Sequence, residues 1–312
     1  MKHRVLQNGR LLASVETALA GRYDLHPLWR EADPQAFLAR HGGEFTGYVS
    51  SARYGADAAM IAALPQLRVI SIFGVGLDAV DLEAARARGI AVGFTPDVLN
   101  DCVADTAMLL LLDAARGGSA ADRFVRRGDW LKGQFPLAAS VSHKRLGILG
   151  LGRIGRAIAR RAAGFDMEIR YYNRRPLTDV PYGYVPSALE LALWADFLVV
   201  ASAGGVQTRG MVSAEILDAL GPEGFLVNIA RGSVVDEQAL VQALVQERIA
   251  GAGLDVYEDE PNVPPALFAL DNVVLLPHVA SATRETRQAM ADLVLDNLVS
   301  FFATGAVKVS AL

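Results

Sequence analysis

The stretch Leu146-Gly-Ile-Leu-Gly-Leu-Gly-Arg-Ile-Gly-Arg-Ala-Ile-Ala-Arg160 limits the fold most: an apolar run passes through a GxGxxG turn into an amphipathic helical period. In such a turn Gly150 permits the tight reversal, Gly152 lets backbone approach a pyrophosphate, and Gly155 lets the helix lie close on the strand. The N–H groups opening that helix, around Arg153 and Ile154, then face the phosphates. A lone GxGxxG is a weak signal. Here Glu168-Ile-Arg-Tyr-Tyr172 follows at the spacing of a second parallel strand and ends in Asn173-Arg174-Arg175, so a dinucleotide site is expected rather than a glycine turn without a ligand.

From Leu146 to Pro277 short β-rich runs alternate with helical periods. The runs are Leu146–Leu149, Ile169–Tyr172, Phe197–Ala201, Phe225–Ile229, Gly253–Val256 and Val273–Leu276. Six strands with intervening helices predict a doubly wound parallel sheet. A second set around Val5–Leu6, Tyr23–Leu25, Phe45–Ser50, Leu67–Phe73 and Ile90–Val92 predicts a smaller α/β unit. Asn100–Arg116 reads as an apolar helix between the two, with a boundary near residue 98. Further on, Met290, Val294, Leu298 and Phe301 share one helical face, and periodicity leaves open which unit that helix joins.

At 312 residues with 52% hydrophobic side chains, the chain can bury one large core or two ordinary ones. A net charge of -4 gives no general attraction to nucleic acid or anionic membranes; neither is expected as a partner, and an anionic ligand needs local groups. Cys102 is the single cysteine, so no intramolecular disulfide can form; a small buried apolar role fits it, and no metal is expected. The opening Met1-Lys-His-Arg-Val-Leu-Gln-Asn lacks the apolar core of a secretory signal, and Ala107-Met-Leu-Leu-Leu-Leu112 is too short to cross a bilayer. A cytoplasmic location is the expectation.

Ligands of an open parallel sheet collect beyond the carboxyl ends of its strands. Arg231, Glu260 and His278 each follow one of three successive strands, on the edge that carries Gly150 and Gly152. Arg can hold a carboxylate and polarise a ketone, and His can protonate the alkoxide left by hydride transfer to a 2-oxo acid. A neighbouring carboxylate such as Glu260 favours the protonated imidazole. Blander readings exist: Arg231 as a turn residue before Gly232, and Glu260 as part of a solvated acidic run. At the end of the second strand Asn173 stands where NAD enzymes place an acid, and Arg174 and Arg175 suit a 2′-phosphate. NADPH is therefore the preferred cofactor, with NAD the alternative.

Four segments, GILGLGRIG at 147–155, Asn228-Ile-Ala-Arg-Gly-Ser-Val-Val-Asp236, Gly253-Leu-Asp-Val-Tyr-Glu-Asp-Glu-Pro261 and Leu276-Pro-His278, are together highly specific. Over essentially its whole length the chain resembles the D-isomer-specific 2-hydroxyacid dehydrogenase family. The resemblance implies two doubly wound parallel-sheet domains, Rossmann-like and flavodoxin-like, with a cleft between them. Residues 1–98 and the returning helix in 282–312 would form the substrate-binding domain, and 99–281 the NAD(P)-binding Rossmann domain. It implies that Arg231 orients substrate, Glu260 supports the histidine, His278 is the acid/base, Asp255 contacts the nicotinamide end and Ile229 also lines the cofactor.

Within the family, Ser71-Ile-Phe-Gly-Val-Gly-Leu-Asp78, Phe94-Thr-Pro-Asp-Val-Leu99 and Gly128-Asp-Trp-Leu-Lys-Gly-Gln-Phe-Pro136 are similar to bacterial and plant glyoxylate/hydroxypyruvate and hydroxyphenylpyruvate reductases. On that basis Val75 and Gly76 form an N–H nest for the substrate carboxylate, against an ordinary glycine turn, and Ser51 and Ser281 border the substrate. The expected reaction is reduction of glyoxylate or hydroxypyruvate to the D-2-hydroxy acid. The alternatives are a bulkier 2-oxo acid (hydroxyphenylpyruvate, 2-ketogluconate) or a dinucleotide-sensing, corepressor-like binding protein. The family also implies a homodimer in which Arg123–Phe135 lies over the partner and Trp130 reaches its substrate site; alternatively Trp130 and Phe135 cover their own subunit's core.

Overall fold

A computed structural model describes residues 2–312 and divides the chain into two compact units: residues up to Leu99 with Ala282–Leu312, and Asn100–Ser281. In the first, the order is β1 (Arg4–Asn8), α1 (Ala13–Arg22), β2 (Asp24–Pro27), α2 (Pro34–His41), β3 (Gly47–Ser51), α3 (Ala58–Ala63), β4 (Val69–Phe73), α4 (Leu82–Ala87) and β5 (Ala91–Gly93). The five strands pair in the order β2-β1-β3-β4-β5, all parallel. β4, Val-Ile-Ser-Ile-Phe, is buried along its whole length, as a strand covered on both faces must be. Asp33, Asp57 and Asp81 start α2, α3 and α4 by accepting from the N–H groups of Ala36, Met60 and Ala84.

The second unit runs α5 (Asn100–Arg116), α6 (Gly118–Arg126), β6 (Arg145–Leu149), α7 (Arg153–Ala162), β7 (Glu168–Tyr172), β8 (Gly183–Tyr184), α8 (Ala188–Trp194), β9 (Phe197–Val200), α9 (Ala214–Leu220), β10 (Phe225–Asn228), α10 (Glu237–Val245), β11 (Gly251–Leu254) and β12 (Val273–Leu275). Its sheet has the order β12-β11-β10-β9-β6-β7-β8, again all parallel. Strand order reverses beside β6, so the turn after β6 stands at the topological switch point. Two details differ from the periodicity. β8 adds a seventh strand whose two exposed residues carry no alternation. β11 begins at Gly251 rather than Gly253 and ends at Leu254, because Gly251 and Ala252 pair with β10 without any β-branched signal.

The last helix, α11 (Arg284–Thr304), belongs to the first unit. Met290, Val294, Leu298 and Phe301 are buried, and the fully buried Asn297 side chain donates to Phe94 O at 3.1 Å and accepts from Val309 N at 2.9 Å. Ser71 Oγ also donates to Val294 O at 3.0 Å. Among the described residues no helix is long and apolar enough to cross a membrane.

Candidate active site

The turn after β6 carries the glycine geometry that a dinucleotide requires. Gly150 has φ +99°, and a Cβ there would lie 2.6 Å from Ser202 N and Cα. At Gly155 a Cβ would come within 2.3 Å of Gly150 O, so that residue lets α7 start directly on the loop. Gly152 is exposed with nothing within 4 Å of an added Cβ, and as N-cap it offers no side chain to the first N–H groups of α7. Arg153, exposed, and Ile154, half-buried, open that helix. Beside Gly150, at the end of β9, the buried Ser202 Oγ makes no hydrogen bond. A buried polar atom without a partner asks for a ligand. The uncapped start of α7, the bare Gly152 and this hydroxyl fit a pyrophosphate.

At the end of β7, Asn173 Oδ1 accepts the Leu151 N–H at 2.8 Å, tying this strand to the glycine loop and leaving the amide hydrogens for another acceptor. Arg174 and Arg175 are exposed, and Arg174 Nη1 donates to Gln207 Oε1 at 2.5 Å. The segment that follows is anchored twice: Leu177 N donates to Tyr171 Oη at 2.7 Å, and Arg156 forks onto Asp179 with both bonds at 2.8 Å.

Arg231, Glu260 and His278 follow β10, β11 and β12, three adjacent strands. The buried Asn228 folds the chain at Arg231, its Nδ2 donating to Arg231 O and its Oδ1 accepting from Ala230 N, both at 3.0 Å. An added Cβ at Gly232 would fall 1.9 Å from Tyr257 C, so this glycine lets the Arg231 turn lie against the backbone leading to Glu260. Glu260 Oε2 meets His278 Nδ1 at 2.7 Å, and Glu260 Oε1 accepts from Tyr257 N at 3.2 Å. Burial pushes the Glu260 carboxyl up. The His278 hydrogen bond and charge, the Tyr257 N–H and the Arg231 charge outweigh it and hold the carboxyl below the ordinary range.

His278 itself sits at φ +53°, a left-handed conformation uncommon outside glycine. Asp255 lies under it, 0% exposed, with one carboxylate oxygen accepting Val279 N at 2.7 Å and the other Ala280 N at 2.9 Å. Its carboxylate is thus taken up by the main chain of the His278 turn. Ile229 is buried at the end of β10, and Ser281 is half-buried one residue past Ala280.

Ser51, Val75 and Gly76 belong to the other unit. The turn after β4 is shaped by Gly74, at φ +148°, whose N–H donates to Thr95 Oγ1 at 3.0 Å. Gly76 does not share that positive φ, and among the described residues the N–H groups of Val75 and Gly76 make no hydrogen bond. Trp130 is 64% exposed and Leu131 94%, so neither covers the core of its own unit. Phe135 behaves differently: it is half-buried, edge-on to Phe124 with centroids 5.5 Å apart.

Residues 108–280 match the family model for the D-isomer specific 2-hydroxyacid dehydrogenase, NAD binding domain. The chain belongs to that family. It is 48% identical over 289 residues to a glyoxylate/hydroxypyruvate reductase A of Arabidopsis thaliana, covering 93% of this chain and 92% of the relative. A hydroxyphenylpyruvate reductase of Plectranthus scutellarioides is also 48% identical with the same coverage. Among solved structures, the NADPH-dependent glyoxylate/hydroxypyruvate reductase of Sinorhizobium meliloti in complex with NADP and malonate superposes with TM-score 0.94 at 43% identity, over 100% of this chain and 97% of that one.

In this 2-hydroxyacid dehydrogenase the glycine turn, Asn173, Arg231, Asp255, Glu260 and His278 all fall within the matched NAD-binding segment. Ser202, Gln207 and Asn228 are polar residues at the same strand ends that the motifs left unassigned. Asn228 stands inside a quoted motif. Ser202 and Gln207 follow β9, whose carboxyl end carries no ionisable group to draw notice before Arg209.

Proposed function

We propose that this 2-hydroxyacid dehydrogenase reduces a small 2-oxo acid, glyoxylate or hydroxypyruvate, to the D-2-hydroxy acid with NADPH. The observation that carries the reading is the Glu260–His278 pair at 2.7 Å, with Arg231 at the end of the adjoining strand. The nicotinamide, when bound, supplies the hydride to the keto carbon. Arg231 holds the substrate carboxylate and polarises the ketone through its fork of donors. His278 turns Nδ1 to Glu260, which leaves Nε2 to donate the proton that the former keto oxygen requires. Glu260, kept ionised, holds the ring through Nδ1, and the ring recovers its proton from solvent after each turnover.

Gly150, Gly152, Arg153, Ile154, Gly155 and Ser202 are assigned to the cofactor's pyrophosphate, and Ile229 to its nicotinamide side. Asn173, Arg174 and Arg175 are assigned to the 2′-phosphate; the absence of an acid there and the Arg174–Gln207 bond support NADPH over NADH. The unit containing Asn100–Ser281 is then the cofactor domain, and the other, with Ser51 and the Val75 and Gly76 N–H groups as carboxylate donors, the substrate domain. The exposed Trp130 and Leu131 support a homodimer packed through the cofactor domains, with Trp130 facing the partner.

The 48% identity to a hydroxyphenylpyruvate reductase favours one second reading, a bulkier aromatic 2-oxo acid. Initial rates with glyoxylate, hydroxypyruvate and hydroxyphenylpyruvate, each with NADPH and NADH, decide the matter. Highest kcat/KM for glyoxylate or hydroxypyruvate with NADPH is the expected result. Turnover of none of them overturns the reading.

A further inference from the structure

Cys102 and Thr106 stand one helical turn apart on α5 and reach the same acceptor, the carbonyl of Ala280, two residues beyond His278. Cys102 Sγ donates to Ala280 O at 3.0 Å, and Thr106 Oγ1 lies 3.3 Å from it and 3.2 Å from Cys102 O. A carbonyl oxygen has two lone pairs, so it can take both donors, while the single Thr106 hydrogen is shared between its two acceptors. On the other side of the same turn, Asp255 holds Val279 N and Ala280 N. The peptide after His278 is therefore gripped from a helix and from a strand end at once.

The helix that supplies the grip is itself fixed to the sheet. Leu110, one turn beyond Thr106 on the same face, lies where a Cβ on Gly253 would be 2.7 Å from Leu110 Cβ and 3.0 Å from its carbonyl oxygen. At its outer end Arg161 of α7 bonds Asp105 Oδ1 at 2.6 Å and Asp101 O at 3.2 Å. α5 thus cannot slide along the sheet without breaking close-packed backbone contact. A left-handed, non-glycine residue persists only when its surroundings over-determine it. Asp255 fixes the N–H groups after His278, and α5 fixes the carbonyl.

We propose that Cys102 and Thr106 are positioning residues for catalysis: through the Ala280 carbonyl they hold the left-handed His278 turn so that its ring stays aligned with Glu260 and the substrate. This rests on the assignment of His278 as the proton donor. Loss of both donors lets the turn relax, and a displacement of about 1 Å in an aligned catalytic group can cost on the order of a hundredfold in rate. The hydrogen bonds of Cys102 and Thr106 to Ala280 O serve the His278 turn rather than the glycine turn at Gly150–Gly155, so cofactor affinity is not expected to move.

The test is the Cys102→Ala/Thr106→Val double variant, with Thr106→Ser and Cys102→Ser as conservative partners that keep a donor. Three measurements are made on the 312-residue protein: steady-state kinetics (kcat and KM) with glyoxylate and NADPH, NADPH affinity by fluorescence titration, and hydrogen–deuterium exchange across 277–281. The double variant should lose tenfold or more in kcat, keep its NADPH affinity within twofold, and exchange faster at Val279 and Ala280 alone. The serine variants should stay within about threefold of wild type. Should the double variant not fold, Thr106→Val alone is read the same way, with a smaller loss. Unchanged kcat and exchange in the double variant, while His278→Ala abolishes turnover, overturn the grip and leave the reaction standing. An equal loss in Thr106→Ser, or a fall in NADPH affinity, also overturns it, because that is general repacking of α5. If the wild type turns over no 2-oxo acid, the proposed reaction fails while the exchange measurement still decides the grip.

Discussion

At 2.7 Å the hydrogen bond and charge of His278 help to hold the Glu260 carboxyl below its ordinary range. The pair needs that carboxyl ionised, so its contribution is kept above the depressed range and lost as pH falls through it. Glu260→Gln removes the titrating group, and the acid limb that it sets in the kcat profile should disappear. The same acid limb surviving in steady-state profiles of Glu260→Gln would falsify the pairing. His278→Ala should lower kcat by about 10²–10⁴-fold with NADPH binding intact by fluorescence titration. Near-normal turnover in the folded variant removes it from proton transfer. At the other end of the proposed cofactor site, Arg174→Ala/Arg175→Ala should raise KM for NADPH at least tenfold and that for NADH by less than twofold. Gln207→Ala should do the same more weakly, since it frees rather than deletes a guanidinium. Equal effects on both cofactors would assign these side chains elsewhere.

Between elements, close approach is what the glycines permit. α7 begins against the loop that precedes it, and an Ala methyl at Gly155 would have to displace the Gly150 carbonyl from 2.3 Å. Gly155→Ala should therefore lower stability by about 1–3 kcal/mol through overpacking. The same shift moves the α7 N–H groups off the phosphates, so NADPH affinity should fall more than tenfold; a denaturant melt and a fluorescence titration read the two effects separately. Affinity within twofold of wild type would mean that the pyrophosphate does not lie on this turn. The glycine spacing was legible beforehand because turn chemistry is local. The approach of Gly253 to Leu110 was not, because a glycine within a β-run reads only as a weakened strand until the helix above it is known.

For the whole molecule, the charge of -4 is small, and assembly is decided by local surface rather than by global repulsion. Leu109, Val125, Trp130, Leu131 and Leu137 are all exposed within one stretch of the cofactor unit. In the proposed dimer the partner covers these side chains. Light scattering at micromolar concentration should report a dimer, and Trp130→Asp/Leu131→Asp should shift it toward monomer. A wild-type monomer with full activity would remove both the dimer and any contribution of Trp130 to a partner's site.

Two parallel sheets, the glycine turn and the succession Arg231, Glu260, His278 could be read from the chain alone. In a parallel sheet every strand ends on the same edge, so position after a strand already places a residue on the ligand edge. Periodicity also picked the buried face of α11, since Met290, Val294, Leu298 and Phe301 recur at helical spacing. What no local pattern carries is a contact closed across the chain by packing. Cys102 meets Ala280 over a separation of 178 residues, and Arg174 meets Gln207 over 33. The inward-facing Asp255 is of the same kind: its spacing after β11 matches that of an exposed ligand contact, and only the path of the His278 turn over it buries the carboxylate. Sequence order set which residues reach the ligand edge; tertiary packing decided which of them face outward and which hold the others in place.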